Sequence, residues 1–267
     1  MLQSKEVIKN LEKKRNIKDL KYLYKYHLGY TDSDYINNKP LSLLNYLKLN
    51  IAVLKLNRGA NIFHIIGNTE NHGNPFKVNK HTLIPRRETE DLIDKTIRLI
   101  KSKKIKPKHI IDLGTGSGVI AISLAKIFKN SRVTGIDISR KALKVARYNN
   151  GLNKTKVKFK KKKIEDQTLS NFDIIISNPP YLTKQDLIDQ TVLKTEPHQA
   201  LFAKKQGLIY YQEILKKAQD FKLIAFEIGK DHGPYLVKLA KQRYPHSEII
   251  LEQDFNNMDR YLFIINV

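Results

Sequence analysis

The chain has 267 residues, 49 of them basic and 26 acidic, for a formal net charge of +23, and 41% of it is hydrophobic. That length holds a large domain with a small one, and the hydrophobic share excludes a disordered polyelectrolyte. With no cysteine, a disulfide scaffold, a thiolate metal site and a cysteine nucleophile are all excluded. Such a composition suits a reducing cytoplasm. No apolar run reaches the ~18 residues of a bilayer span, and the first residues lack the apolar core of a signal peptide, so no membrane association is expected. The charge is compatible with direct nucleic-acid binding but does not require it, because most of the basic residues are scattered lysines.

Residues 1–60 read as a small all-α N-terminal domain. Val7, Ile8 and Leu11, then Leu20, Leu23, Tyr24 and Leu28, recur at helical spacing, and a third apolar segment over 41–56 follows Pro40. Three short helices are expected there. Apolar runs at 63–67 and 76–78, on either side of the cluster Asn71-His72-Gly73-Asn74-Pro75, read as a β-hairpin within a linker over 61–80. From 81 to 267 strands and helices alternate. Helices are expected over 88–101, 119–128, 141–149, 208–219 and 235–243. Strands are expected over 109–112, 132–137, 156–160, 172–177, 223–227, 248–251 and 260–265. The fold class is therefore α/β, a mostly parallel sheet with helices on both faces. The closeness of the last two strands predicts an antiparallel edge. Lys160-Lys161-Lys162-Lys163 reads as a solvated strand end.

Two motifs carry chemistry. The first is Asp112-Leu113-Gly114-Thr115-Gly116-Ser117-Gly118, a strand-to-helix turn in which glycine permits close backbone approach to a ligand. Its G-x-G-x-G spacing is not the G-x-G-x-x-G of the dinucleotide fingerprint. Asp137, ending the next strand, suits the two hydroxyls of a ribose. Taken singly, the glycines make a tight turn and Asp137 a helix cap. Together, at the carboxyl ends of neighbouring strands, they point to a nucleoside site. No P-loop lysine follows the glycines, which puts S-adenosyl-L-methionine ahead of a nicotinamide dinucleotide.

The second motif is Asn178-Pro179-Pro180-Tyr181, leaving an apolar strand. Each proline fixes φ and removes a donor, and the residue before a proline is driven out of the α region. The loop is thus stiff and rich in acceptors, including the Asn178 side-chain carbonyl. Tyr181 is expected to stack on a flat substrate. Such a corner suits an NH2 group attached to a carbonyl or an aromatic ring.

These motifs, with Leu83-Ile84-Pro85-Arg86-Arg87-Glu88-Thr89-Glu90, Glu196-Pro197, Phe226-Glu227-Ile228-Gly229 and the segment 254–260, resemble the HemK/PrmC family. Its members are protein-(glutamine-N5) methyltransferases acting on peptide chain release factors, and the likeness spans essentially the whole chain. The resemblance implies a Rossmann-like S-adenosylmethionine-dependent sheet, with the helical domain serving substrate recognition. It implies methyl transfer to the glutamine of a Gly-Gly-Gln loop, modulating translation termination in the cytoplasm. Gly114, Thr115, Gly116, Ser117, Gly118, Asp137 and Asn178 would hold the cofactor. Asn178, Pro179 and Tyr181 would serve catalysis, with Pro180, Pro85, Arg86 and Glu196 near the substrate loop. A monomer is expected, and no metal. Arg87 stands where the family has a second proline, and the lysine run lies where an acidic or aromatic residue is expected near adenine. Alternative readings are an adenine-N6 methyltransferase acting on a flipped base and a ribosomal-protein glutamine methyltransferase.

Overall fold

In the computed structural model, which describes residues 2–13, 15–183, 185, 186 and 189–266, the helical periodicity of the first residues closes into a core of its own. After a short strand β1 (Leu2–Gln3), α1 (Ser4–Glu12) buries Val7, Ile8 and Leu11. Next, α2 (Ile17–Tyr22) and a π-helical turn (Leu23–His27) bury Leu20, Leu23 and Tyr24. A reciprocal capping box between Thr31 and Asp34 opens α3 (Asp32–Ile36). Strand β2 (Pro40–Leu41) pairs antiparallel with β1, and the Ser42 hydroxyl caps α4 (Leu43–Asn57). Polar punctuation cuts the periodic stretches into more and shorter helices than the three expected.

The run at 62–66 is a helix, not a hairpin strand. Short apolar runs do not distinguish the two, and here the caps decide. The Asn61 side chain accepts from the Phe63 amide, and Gly67, at φ 81°, closes α5 (Ile62–Ile66). The hairpin comes one step later, as β3 (Asn68–Asn71) and β4 (Asn74–Lys77). His72 and Gly73, at φ 48° and 68°, make its two-residue turn.

Two compact units result, Met1–Asn68 with Ile188–Thr195, and Thr69–Leu187 with Glu196–Val267. The second contains α6 (Arg87–Ser102), β5 (His109–Leu113), α7 (Val119–Ile127), β6 (Arg132–Asp137), α8 (Arg140–Leu152), β7 (Lys158–Lys161) and β8 (Ile174–Ser177). A short helix α9 (Gln190–Thr195) belongs to the first unit. The second resumes with α10 (His198–Leu201), α11 (Ile209–Lys217), β9 (Leu223–Glu227), α12 (Gly233–Arg243), β10 (Glu248–Gln253) and β11 (Asp259–Ile265).

The seven-stranded sheet has the order β10-β11-β9-β8-β5-β6-β7. The pairs β5–β6, β5–β8, β6–β7 and β8–β9 are parallel. Strand β11 is antiparallel to both β9 and β10, so the reversed strand lies one place in from the edge. Successive residues of a strand face opposite sides, and the central strands are buried on both. In β8, Ile174 and Ile176 join the core under α6 and α7, while Ile175 joins the core under α11 and α12. The hairpin is stitched to this unit by Asn149. Its Oδ1 accepts from the Lys77 amide at 2.7 Å, and its Nδ2 donates to the carbonyls of Lys77 at 3.0 Å and Ser117 at 2.9 Å. Among the described residues no helix is long and apolar enough to cross a membrane.

Candidate active site

The parallel strands β5, β6 and β8 all point their carboxyl ends at one cavity of about 610 Å³. Its floor is Gly114, Thr115, Gly116 and Ser117, the turn between β5 and α7. Gly114 and Gly116 sit at φ 76° and 53°, a region closed to most side chains. A Cβ built at Gly114 meets no atom within 4 Å, so any side chain there would stand in the cavity itself. Gly118 serves differently. Its Cβ would meet Ile122, Phe159 and Ala146 at 3.0, 3.1 and 3.2 Å, and it packs the helix start against its neighbours instead of lining the cavity.

Two carboxylates anchor the turn. Asp137 lines the cavity, with Oδ2 accepting from the Gly116 amide at 2.9 Å and Oδ1 from the Ser139 amide at 2.7 Å. Each oxygen keeps a further lone pair for a ligand hydroxyl. Burial pushes its carboxyl up from the usual range. Asp112 lies fully buried beneath the turn, where Oδ2 accepts from the Thr115 hydroxyl at 2.5 Å and the Ala121 amide at 3.2 Å. Among the described residues its Oδ1 has no partner, and burial lifts the group to about 7. An open glycine cradle with a carboxylate on its rim fits a ribonucleoside.

Asn178 and Pro180 stand on the same wall. Asn178 Nδ2 donates to Thr89 Oγ1 at 3.0 Å, and Thr89 Oγ1 donates to Glu227 Oε2 at 2.8 Å. No donor to Asn178 Oδ1 is found among the described residues. Pro179 is buried. Tyr181 does not line the cavity as a stacking platform would. Its hydroxyl donates to Glu227 Oε1 at 3.4 Å and accepts from Arg260 Nη1 at 3.4 Å, and its ring meets His232 edge-on at 6.5 Å. The pull comes from a buried carboxylate and a guanidinium that both need partners.

Pro85 lines the cavity, but Arg86 and Glu196 brace it from outside. Glu196, its side chain 1% exposed, accepts from Arg86 Nη2 at 3.1 Å and from the Ile84 amide at 3.2 Å. This clamps the 83–87 segment to the start of α10. Arg87 is the first residue of α6, a position where the amide has no helical partner and proline is accepted. Its guanidinium lies 5.1 Å from the Phe255 ring centre. The lysine run divides. Lys160 and Lys161 end edge strand β7, whereas Lys162 and Lys163 continue onto the cavity wall with Ile164 and Glu165. The run stays solvated except at Lys162, which is half-buried and whose amide bonds to the Asp137 carbonyl at 3.1 Å, turning the chain over the site.

Sequence reasoning quoted Thr89 and Glu227 within the resembling segments without giving them a role, and missed the cavity-lining residues Gln199, Phe202 and Tyr210. A signal existed for Glu227. It is a charge ending an apolar central strand, as Asp137 is.

Sheet and site together define a Rossmann-like methyltransferase. The sequence profile of the Methyltransferase small domain matches residues 90–209. Solved structures share the fold. The hMettl16 catalytic domain in complex with a MAT2A 3'UTR hairpin has a TM-score of 0.57 at 15% identity, over 92% of this chain and 91% of that one. The T. thermophilus 16S rRNA N2 G1207 methyltransferase in complex with AdoMet and guanosine has a TM-score of 0.53 at 13% identity, over 75% of this chain and 50% of that one. Sequence relatives are more specific. The release factor glutamine methyltransferase of Enterococcus faecalis is 38% identical over 205 residues, 74% of this chain and 73% of its own. That of Flavobacterium psychrophilum is 38% identical over 233 residues, 83% of this chain and 81% of its own. The chain belongs to the release factor glutamine methyltransferase family.

Proposed function

We propose that this protein transfers a methyl group from S-adenosyl-L-methionine to the side-chain amide nitrogen of the glutamine in the Gly-Gly-Gln motif of a peptide chain release factor. The observation that supports it most is the meeting, on one cavity wall, of an open glycine cradle, a ribose-directed carboxylate and the carboxamide of Asn178. S-adenosyl-L-methionine supplies an electrophilic methyl group on a sulfonium sulfur. Gly114, Thr115, Gly116 and Ser117 would hold that cofactor along their backbone, and Asp137 would accept from its ribose.

The chemical obstacle is the amide nitrogen, whose lone pair is delocalised; the ~18–20 kcal/mol rotation barrier measures that resonance. Asn178 Oδ1 and the Pro179 carbonyl accept from its two N–H bonds, draw the hydrogens out of plane and return electron density to nitrogen. The sulfonium would give up its methyl group and keep the electron pair, and the amide nitrogen, held by Asn178 and Pro179, would lose one proton to water. Fixing the substrate amide in a near-attack position would contribute ~7–11 kcal/mol. The clamp of Glu196 on Ile84 and Arg86 keeps Pro85 on the wall where the substrate loop enters. The helical unit provides substrate recognition, and acts within a monomer. In its support, α4 exposes an apolar row at helical spacing, Leu43, Leu47, Ile51 and Leu54, each about half exposed or more.

The test is transfer of labelled methyl to a release factor, to its Gln→Ala variant and to duplex DNA. Label is expected on the first alone. Asn178→Ala should abolish transfer while the cofactor Kd stays within about threefold, and Asp137→Ala should weaken the cofactor by calorimetry. Near-normal turnover in Asn178→Ala, or label on the Gln→Ala substrate or on DNA, overturns the proposal.

A further inference from the structure

Behind the cavity wall stands a buried carboxylate that touches neither cofactor nor substrate in this scheme. Glu227 ends β9 and is 2% exposed. Its Oε2 accepts from the Thr89 hydroxyl at 2.8 Å, and Thr89 Oγ1 accepts from Asn178 Nδ2 at 3.0 Å. A threonine hydroxyl has one proton. While that proton is committed to the carboxylate, Thr89 can meet Asn178 only as an acceptor. The carboxamide is then held with its NH2 end inward and Oδ1 toward the cavity.

We propose that Glu227, acting through Thr89, is a positioning residue that dictates which end of the Asn178 carboxamide faces the cavity. The inference rests on the reading of Asn178 as the acceptor for the substrate amide. Reversal of the carboxamide would set NH2 against the substrate NH2, donor against donor, and remove one of the two acceptors on the nucleophile.

The groups around Glu227 decide when the lock holds. Arg260 on β11 favours the carboxylate and is itself bonded to Asp254 at 3.1 Å and to the Ile228 carbonyl at 3.0 Å. Glu88 on α6 opposes it. Tyr181 donates to Oε1 at 3.4 Å, and Tyr211 on α11 donates to the Glu227 main-chain carbonyl at 2.8 Å. Tyr261 on β11 also lies within its field. Burial dominates and lifts Glu227 to about 7. Below that pH the carboxyl becomes a donor to Thr89, the Thr89 proton is released toward Asn178, and either orientation of the carboxamide is satisfied.

The test compares Glu227→Gln, Thr89→Val and Thr89→Ser in the full chain by two readouts. The first needs no turnover: solvent exchange of the Asn178 side-chain NH2 protons in 15N spectra, assigned by their loss in Asn178→Asp. Exchange should be slow in the wild type and in Thr89→Ser, and about tenfold or more faster in Glu227→Gln and Thr89→Val. The second is release-factor methylation. In Glu227→Gln and Thr89→Val kcat should fall about 10–100-fold, the range seen when partners that orient metal-ligating side chains are lost. KM and cofactor Kd should stay within about threefold. Thr89→Ser should recover kcat. The wild-type kcat should climb with pH near the Glu227 transition, and Glu227→Gln should lack that rise. Wild-type exchange in Glu227→Gln, or a Thr89→Ser variant as impaired as Thr89→Val, overturns the inference. A wild-type protein that leaves release factors unmethylated sinks the proposed function instead, and the exchange rates still decide the role of Glu227.

Discussion

Gly114→Ala separates two things a glycine in this turn can do. At φ 76° an alanine is strained by roughly 1–2 kcal/mol, the left-handed penalty of an L-residue. The added methyl meets no atom within 4 Å, so no clash is added in the free protein. Stability alone should therefore fall by that amount, a Tm drop of about 2–8 °C at ~2–4 °C per kcal/mol. The same methyl stands in the cavity where the cofactor is proposed to lie. Overpacking there costs a further ~1–3 kcal/mol, or about fivefold to 150-fold in cofactor Kd. Gly118→Ala is the control. Its methyl meets three side-chain atoms at 3.0–3.2 Å outside the cavity, so it should lose more stability and less affinity per degree of Tm lost. Thermal denaturation and calorimetry on the two variants give both numbers. Wild-type affinity in Gly114→Ala would refute the claim that this turn receives the cofactor.

Arg86→Met leaves the buried Glu196 carboxylate, among the described residues, with the Ile84 amide alone. The loss should be about 1–3 kcal/mol in urea denaturation, with substrate KM raised and cofactor Kd unchanged; a cofactor-only defect would contradict the assignment of this clamp to the substrate side. Asp112 shows its burial through pH. Its pKa rises on folding from 3.8 to about 7, so the stability tied to its proton is present below about 3.8 and lost as pH rises through about 7. The urea midpoint of the wild type, relative to Asp112→Asn, should fall across that window. A constant difference would mean that Asp112 is charged and satisfied throughout.

The central strands are legible because they obey one rule along their length. The run 223–227 is apolar up to its closing Glu227, the run 132–137 carries Val133 and Ile136 between Arg132 and Asp137, and the observed strands occupy the same residues. The glycine turn, Asp137 and Asn178 could be brought together on paper, since parallel neighbours must expose their carboxyl ends on one side. What the sequence concealed is non-local. Nothing in Glu248–Gln253 or Asp259–Ile265 says which of the two will contact β9. Thr89 and Glu227 meet across 138 positions, and neither carries a motif that announces the other. Ile62–Ile66 was ambiguous for a different reason: four apolar residues and His64 in a run of five fit either period, and the flanking Asn61 and Gly67 resolve it. The walls formed by 162–165 and 197–204 are loop and short helix, without periodicity to read.

The place of β11 has a bearing on how the sheet is assembled. Among the described residues strand β10 has β11 as its one neighbour in the sheet, and β9 receives its outer neighbour when β11 arrives. The two late strands are therefore expected to zip together as a local ribbon across Asp254–Met258 and dock as a pair. Until they do, β9 keeps an unpaired flank, and that interval is when a growing chain is most open to adhesion by stray strands.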